Sequence, residues 1–160
     1  MAPECRPSMP DDGIYIIENA DAVHTPAFFN IPHSGEHFPA AFLERAQLPR
    51  QSLRRASDLF VDELMMPAAR HGLPIMRALL PRSYVDLNRE PFELDPRLIA
   101  GPLPIDANTR SLRVAGGLGT VPRVIGDQIE IYAGKISLAE ALGRIEDAYV
   151  PYHLRLHQEL

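Results

Sequence analysis

Sixteen prolines are spread along this chain of 160 residues and do not form a single tract. Because proline has a fixed φ and no amide hydrogen to donate, it ends or kinks most of the helices and strands that contain it. The sequence therefore predicts many short elements joined by defined turns. Hydrophobic residues make up 46% of the chain and charged residues 23%, which together with its length indicates one globular domain.

Stretches rich in β-branched and aromatic residues alternate with stretches that favour helices. The first kind predicts extended segments at four places: 13–18, 27–31, 73–80 and 83–87. Asn88 and Arg89 would then stand at the carboxyl end of the last segment. The alternation predicts an α/β fold with a mixed, partly parallel sheet flanked by helices.

Two serines mark the predicted starts of the main helices. Ser57 is placed as the N-cap of a helix over 58–71. Ser137 begins a capping box that opens a final helix, in which Pro151 should produce a kink. Residues 90–125 are rich in Pro and Gly and show no clear element, and so long a loop in a compact domain is usually functional.

Charge and cysteine content argue against several classes of protein. The net charge of −5 and the pI near 5.6 disfavour nucleic-acid binding, which usually needs a basic face. The single cysteine, Cys5, allows no intramolecular disulfide and favours a reducing, cytoplasmic location. No stretch approaches the ~20 apolar residues that span a bilayer, so we expect no membrane partner. We expect residues 1–12 to form a flexible leader ahead of one domain over 13–160.

An imidazole and a carboxylate, those of His33 and Glu36, stand three residues apart directly after the apolar run 28–32. Ligands gather at the carboxyl ends of strands in α/β sheets, and this spacing lets one loop offer two ligands to a zinc ion. A catalytic zinc site would keep one position open for water. The alternative is a surface turn in which His33 merely bonds a backbone carbonyl.

A second polar cluster lies in 81–90. Asn88 and Arg89 offer an amide and a guanidinium, and the guanidinium is suited to a carboxylate because it donates two parallel hydrogen bonds. Asp86 could pair with one of the nearby arginines and orient it without contacting the ligand itself. The alternative is a structural ion-pair cluster, formed by Arg82, Asp86, Arg89 and Glu90.

Two further patterns carry weaker signals. His153 and His157 stand four residues apart on the final predicted helix, but no HExxH arrangement accompanies them, so a half-exposed amphipathic face is favoured. The glycine-rich stretch 116–120 lacks the GK[ST] ending of a P-loop. We expect it to form a mobile lid, with Arg113 or Arg123 available to an anionic substrate.

Five segments carry a resemblance to one enzyme family. They are Asn30-Ile31-Pro32-His33-Ser34-Gly35, then 57–64, 81–90 and 117–123, and finally Pro151-Tyr152-His153. In this order they resemble the N-formylglutamate amidohydrolase family, from about Phe29 onwards. The resemblance implies a fold related to zinc-dependent exopeptidases such as the carboxypeptidases. It also implies hydrolysis of N-formyl-L-glutamate to glutamate and formate in bacterial histidine breakdown.

The resemblance also implies roles for individual residues. His33 matches the first metal-binding histidine of the family, and Glu36 matches the carboxylate of the carboxypeptidase-type HxxE motif, for zinc or another divalent metal. Asn88-Arg89 resembles the pair that holds a substrate carboxylate, which leaves Arg82 or Arg123 for a second carboxylate. Asp86 would orient these arginines without contacting the substrate.

Family members run longer and supply a further metal-binding histidine and a catalytic glutamate. We therefore expect the chain to be the amino-terminal part of an amidohydrolase domain, truncated at its carboxyl end, with the general-base glutamate beyond Leu160. Alone it should bind zinc weakly and lack deformylase activity. The alternatives are hydrolysis of another N-acyl amino acid, or a non-catalytic protein that binds an anion or a partner.

Overall fold

The computed structural model describes residues 13–21 and 27–160. The leader predicted over 1–12 lies outside these residues. Within the described part the chain forms three small sheets with helices around them. The elements are short, as the distribution of prolines predicts.

The central sheet has three strands, in the order β1-β3-β2. They are β1 (Tyr15–Glu18), β2 (Phe29–Ile31) and β3 (Ile75–Ala78). The middle strand, β3, runs antiparallel to β1 and parallel to β2, where Phe29 lies opposite Ile75. The predicted α/β fold with a partly parallel sheet is confirmed.

Short α-helices connect and cover the strands. They are α1 (Ala40–Arg45), α2 (Arg50–Leu53), α3 (Val61–Arg70), α4 (Leu112–Ala115), α5 (Leu138–Arg144) and α6 (Val150–Glu159). None of the helices in the described part of the chain is long and apolar enough to cross a bilayer.

The start of α3 differs from the prediction. The helix begins at Val61, and Ser57 is not its N-cap, because the preceding residue is Phe60, whose φ of 66° lies in the left-handed region. The backbone N–H of Asp58 donates to the carbonyl of His33 at 3.0 Å. Asp58 therefore belongs to the structure around His33 and not to the helix.

The predicted strand over 83–87 is wrong. The carbonyl of Pro81 accepts the N–H of Tyr84 at 2.9 Å and closes a turn. The N–H of Asp86 then donates to the carbonyl of Thr120 at 2.8 Å, and no strand ladder continues from this bond. The site residues that follow are thus presented by a turn.

Residues 90–125 contain only short elements. The strand β4 (Ile99–Ala100) pairs parallel with β7 (Ile136–Ser137). The strand β5 (Val124–Ile125) pairs antiparallel with β6 (Ile129–Glu130). The rest of the segment is turns and the four-residue helix α4, so the unassigned loop is an ordered connection.

The last two helices form one long rod. The hydroxyl of Ser137 accepts the N–H of Glu140 at 3.0 Å, which confirms the predicted cap. A π-helical turn, Ile145–Tyr149, joins α5 to α6. A π turn widens the helix where it occurs. Pro151 itself lies in the first turn of α6, and the kink predicted there stays a prediction. The rod packs on the core through Tyr152, which is fully buried.

Candidate metal and substrate site

His33 lies on the loop after β2, and the residue is only 6% exposed. Its Nε2 atom lies 2.7 Å from Oδ1 of Asp86, and its Nδ1 atom lies 3.3 Å from Oδ2 of Asp58. The imidazole is therefore held between two carboxylates. This excludes the alternative in which His33 bonds a backbone carbonyl in a surface turn.

Asp86 is the centre of a charged network beside this ring. Its carboxylate accepts hydrogen bonds from Nε of Arg82 at 2.9 Å and from the backbone N–H of Asn88 at 3.0 Å, and it lies 3.3 Å from Nη2 of Arg89. Burial by itself would raise the pKa of Asp86, but the hydrogen bond and charge of His33, with the charge of Arg82, outweigh burial and lower the pKa to about 2. The carboxylate is thus ionised at neutral pH.

The charge of Asp86 fixes the tautomer of His33. An ionised carboxylate can only accept, so Nε2 of the ring carries the hydrogen. In the neutral ring the lone pair of Nδ1 then faces Oδ2 of Asp58. Both atoms are hydrogen-bond acceptors, so their contact is unfavourable. A second proton on the ring, or a cation between the two groups, removes this unfavourable contact. The order carboxylate, histidine, metal is common in zinc proteins.

The gap between His33 and Asp58 has a width that suits a zinc ion. Ligand atoms at ~2.0–2.1 Å from a tetrahedral zinc lie about 3.4 Å apart, and the two atoms here are 3.3 Å apart. The side chain of Asp58 is 53% exposed, so solvent reaches the gap. The two residues therefore fit a divalent cation as a pair of ligands. Among the described residues, no group of three or more His, Cys, Asp or Glu side chains could hold a metal ion.

Glu36 lies apart from this pair. Its carboxylate forms an ion pair with Nε of Arg54. Both residues line a cavity of about 290 Å³ together with Asp62 and Arg77, and His33 is not among its lining residues. The structure therefore does not place Glu36 beside His33, although their spacing predicted that the two would share a metal ion. Glu36 would have to leave Arg54 to reach a shared ion.

The loop that carries His33 is fixed by its small residues. A Cβ atom on Gly35 would lie 2.2 Å from the carbonyl oxygen of Leu80, so only glycine allows this approach. The hydroxyl of Ser34 donates to the carbonyl of Asp58 at 2.9 Å. This bond ties the loop to the residue that faces Nδ1 of His33.

Two of the arginines predicted to hold substrate are bound to protein groups. Arg89 has a side chain that is 9% exposed; its Nε donates to the carbonyl of Leu118 at 3.1 Å, and its Nη2 faces Asp86. Arg82 also pairs with Asp86. The structural ion-pair cluster is thus present for these three residues, whereas the carboxylate of Glu90 accepts a hydrogen bond from Asn108 instead.

Arg123 is not part of this network. Its Nε donates to Asp95 at 2.9 Å and its Nη1 to Glu130 at 2.7 Å. Burial would raise the pKa of Asp95, but the hydrogen bonds from Arg97 and Arg123 lower it. Arg123 therefore stabilises the turn region around Asp95.

The final helical rod holds the site loops from behind. The hydroxyl of Tyr152 donates a hydrogen bond to the side-chain oxygen of Asn30, the middle residue of β2. Nε2 of His153 lies 2.8 Å from the carbonyl of Leu87, and the hydroxyl of Tyr149 donates to the carbonyl of Arg89 at 2.5 Å. The two carbonyls that flank Asn88 are thus fixed by one helix face.

An open cavity of about 470 Å³ lies beside Asn88, and we call it the Asn88 cavity. It is lined by Leu87, Asn88, Arg89, Glu90, Pro91, Glu93, Arg113, Tyr149 and His153. The backbone N–H of Asn88 bonds Asp86, which in turn bonds His33. The cavity is therefore linked to the histidine through a single carboxylate.

Sequence reasoning missed Asp58 and Tyr149 as site residues. The local sequence predicts Asp58 in the first turn of a helix, and no local pattern shows that it faces His33. For Tyr149 a signal existed, since it stands four residues before His153 and the two rings stack with centroids 4.1 Å apart.

The chain is similar to one protein family and to a solved structure. The family model described as N-formylglutamate amidohydrolase matches residues 25–160. The crystal structure of N-formylglutamate amidohydrolase from Ralstonia eutropha JMP134 is similar, with a TM-score of 0.82 and 29% sequence identity over 92% of this chain. The chain spans about half of that protein, 51% of its length. Among curated proteins, none matches this sequence.

Proposed function

Because the chain belongs to the N-formylglutamate amidohydrolase family, we propose that it serves the metal-dependent hydrolysis of the formyl amide of N-formyl-L-glutamate, which gives glutamate and formate. The reaction would belong to histidine breakdown in the bacterial cytoplasm. The observation that carries the proposal is the His33 ring, which is fixed by Asp86 on one side and faces Asp58 across an open gap on the other.

In this proposal His33 and Asp58 hold a divalent cation, zinc being the best match to a nitrogen and a carboxylate ligand. When bound, such a cation supplies Lewis-acid polarisation of the amide carbonyl and a water of lowered pKa. Asp86 keeps the hydrogen of His33 on Nε2 and so leaves Nδ1 free. Glu36 is the alternative carboxylate ligand, and it would join only after releasing Arg54.

Asn88 is the proposed contact for a substrate carboxylate, because it lines the open cavity next to the histidine network. Arg82 and Arg89 are engaged with Asp86. We propose that they act mainly by keeping Asp86 ionised and in place, and that Arg123 does not contact the substrate. Asp86 thereby connects substrate positioning with the orientation of His33.

His33 and Asp58 would give the cation two ligands, one fewer than catalytic zinc sites typically have. No group of three or more His, Cys, Asp or Glu side chains that could hold a metal ion exists among the described residues. We therefore propose that the 160-residue chain alone binds zinc weakly and releases formate slowly or not at all. The general-base glutamate implied by the family resemblance is not assigned to any residue of this chain.

The test combines zinc calorimetry, binding of N-formyl-L-glutamate and a formate-release assay on the 160-residue chain. We expect weak zinc binding and N-formyl-L-glutamate binding that strengthens when zinc is added. A panel of N-acetyl and N-formyl amino acids then separates this substrate from other N-acyl amino acids. N-formyl-L-glutamate binding that is absent with and without zinc would contradict the proposed substrate. Tight zinc binding with rapid formate release would contradict the proposal that the 160-residue chain alone binds zinc weakly and has little activity.

A further inference from the structure

Two charged side chains of opposite sign line the Asn88 cavity without a protein partner for their charged groups. Glu93 is 7% exposed, and among the described residues neither a hydrogen bond nor an ion pair involves its carboxylate. Arg113 is exposed at the same cavity, and its guanidinium likewise has no such partner in the described part of the chain. Both groups are therefore available to a ligand.

The carboxylate of Glu93 keeps contact with solvent. In the described part of the chain, the buried side-chain atoms that lack both solvent and a hydrogen-bond partner belong to Ser57, Arg77 and Ser83. Glu93 is not among them, although most of its surface is covered. Because a largely buried carboxylate without a partner is costly, a ligand that donates an N–H to it would be favoured.

The position of Arg113 is fixed by its helix. Nη2 of Arg97 donates to the carbonyls of Val114 at 2.8 Å and Ala115 at 2.7 Å at the end of α4. The N–H of Leu118 donates to the carbonyl of Arg113 itself at 2.8 Å. The backbone that presents the guanidinium is therefore well held, even though the side chain is free.

The other charged groups of the cavity are already occupied. Glu90 accepts a hydrogen bond from Asn108 at 3.1 Å. Arg89 donates to the carbonyls of Asn88 and Leu118 and faces Asp86. One free carboxylate and one free guanidinium remain, which is the complement of a molecule that carries a carboxylate and an N–H donor.

We propose that the Asn88 cavity binds the amino-acid part of the substrate, with Arg113 on a carboxylate and Glu93 on the nitrogen. This rests on the proposed function and makes it more specific. Glu93 accepts a hydrogen bond from the amide N–H of the N-acyl amino acid, and after hydrolysis it faces the ammonium group of the product. Arg113 and Glu93 are then specificity-determining residues, and Asn88 lies between the cavity and the His33 network.

The test is calorimetric binding of two ligands, L-glutamate and N-formyl-L-glutamate, to the 160-residue chain in the presence of zinc. The variants are Arg113→Gln, Glu93→Gln and, as a matched control, Arg110→Gln, since Arg110 is exposed and does not line the cavity. We expect Arg113→Gln to weaken both ligands about tenfold or more, the size of one charge-assisted contact. The control variant should bind both ligands as the unchanged chain does.

Glu93→Gln gives the sharper signature. Removing the negative charge should weaken L-glutamate, which carries an ammonium group, about tenfold more than N-formyl-L-glutamate, which carries a neutral amide. Partial unfolding of a variant would lower both affinities by the same factor, so the ratio reports the charge alone. An unchanged ratio overturns the role of Glu93, and Arg113→Gln behaving like Arg110→Gln overturns the role of Arg113.

Failure of the proposed function gives a different result. Both ligands could bind with the expected charge signature while zinc leaves the affinity for N-formyl-L-glutamate unchanged. In that case the cavity assignment stands and the proposed metal-dependent hydrolysis does not. If neither ligand binds to the unchanged chain, the cavity assignment is wrong.

Discussion

Asp86 and His33 share a hydrogen bond of 2.7 Å between two side chains that are 1% and 8% exposed. The bond joins the loop after β2 to the turn that begins at Pro81. It sets which nitrogen of the histidine carries the hydrogen, and it places an ionised carboxylate in the protein interior. One bond therefore affects both the stability of the fold and the chemistry of the site.

The first prediction concerns the stability that Asp86 provides. Asp86→Asn keeps the size of the side chain but leaves Arg82 and Arg89 without their shared buried charge. We expect a loss of about 3 kcal/mol in the free energy of unfolding, within the range for breaking a buried ion pair. Urea denaturation measures it. Glu90→Gln is the control, because Glu90 makes only an exposed hydrogen bond, and an equal loss in that variant would contradict the role of Asp86.

The second prediction concerns pH. The pKa of Asp86 is lowered to about 2 in the folded protein, whereas an aspartate in the unfolded chain has a pKa of about 3.9. Because the folded pKa is the lower one, this group stabilises the fold fully above about pH 4 and loses that contribution as the pH falls toward about 2. We expect the free energy of unfolding to fall across this window, and to fall less steeply in Asp86→Asn. Parallel curves for the two proteins would contradict the prediction.

The third prediction concerns the carboxylate ligand of the cation. Asp58→Asn should weaken zinc binding about tenfold or more. Loss of a residue that hydrogen-bonds a metal ligand already weakens binding about tenfold or more, and loss of the ligand itself should cost at least as much. Glu36→Gln is the matched control, since Glu36 pairs with Arg54, and it should bind zinc like the unchanged chain. The measurement is zinc calorimetry, supported by the visible spectrum of bound cobalt. If Glu36→Gln weakens binding and Asp58→Asn does not, the pairing derived from the HxxE spacing is the right one.

Features set by neighbouring residues could be predicted from the sequence. The apolar, β-branched composition of β1 and β3 predicted the central sheet, and Ser137 with Glu140 predicted the start of α5, because a cap depends on residues three apart. The place of His33 just after a strand was also predicted, and it lies on the loop that follows β2. Each of these signals lies within one short segment.

Features set by distant residues could not be predicted. The true start of α3 depends on the bond from Asp58 to the carbonyl of His33, and the absence of a strand at 83–87 depends on Thr120. The spacing of His33 and Glu36 predicted a shared ion, and it does not indicate that the carboxylate of Glu36 forms an ion pair with Arg54. Contacts between distant parts of the chain decide which partner such a residue binds, and the local sequence pattern does not show these contacts.

The fourth prediction concerns the close approach at Gly35. Gly35→Ala would force a Cβ against the carbonyl oxygen of Leu80, where the distance would be 2.2 Å. We expect a loss of about 1–3 kcal/mol or more, as for other overpacked sites. Gly143→Ala is the control, because nothing lies within 4 Å of its Cβ position, and in α5 it should be neutral or slightly stabilising. Thermal unfolding of both variants decides it, and equal unfolding temperatures would show that the loop can move away from Leu80.

The last prediction concerns the bond between the helical rod and β2. Burial raises the pKa of Tyr152, so its hydroxyl keeps its proton and donates to Asn30. Tyr152→Phe preserves the buried ring and removes only this bond, and we expect a loss of about 1 kcal/mol. Tyr15→Phe is the control, because its ring packs edge-on against Tyr152 at 6.0 Å while no hydrogen bond involves its hydroxyl among the described residues. Urea denaturation should separate the two variants, with faster amide exchange at Ile31 only in Tyr152→Phe; identical behaviour would mean that the ring, and not the hydroxyl, holds β2 to the rod.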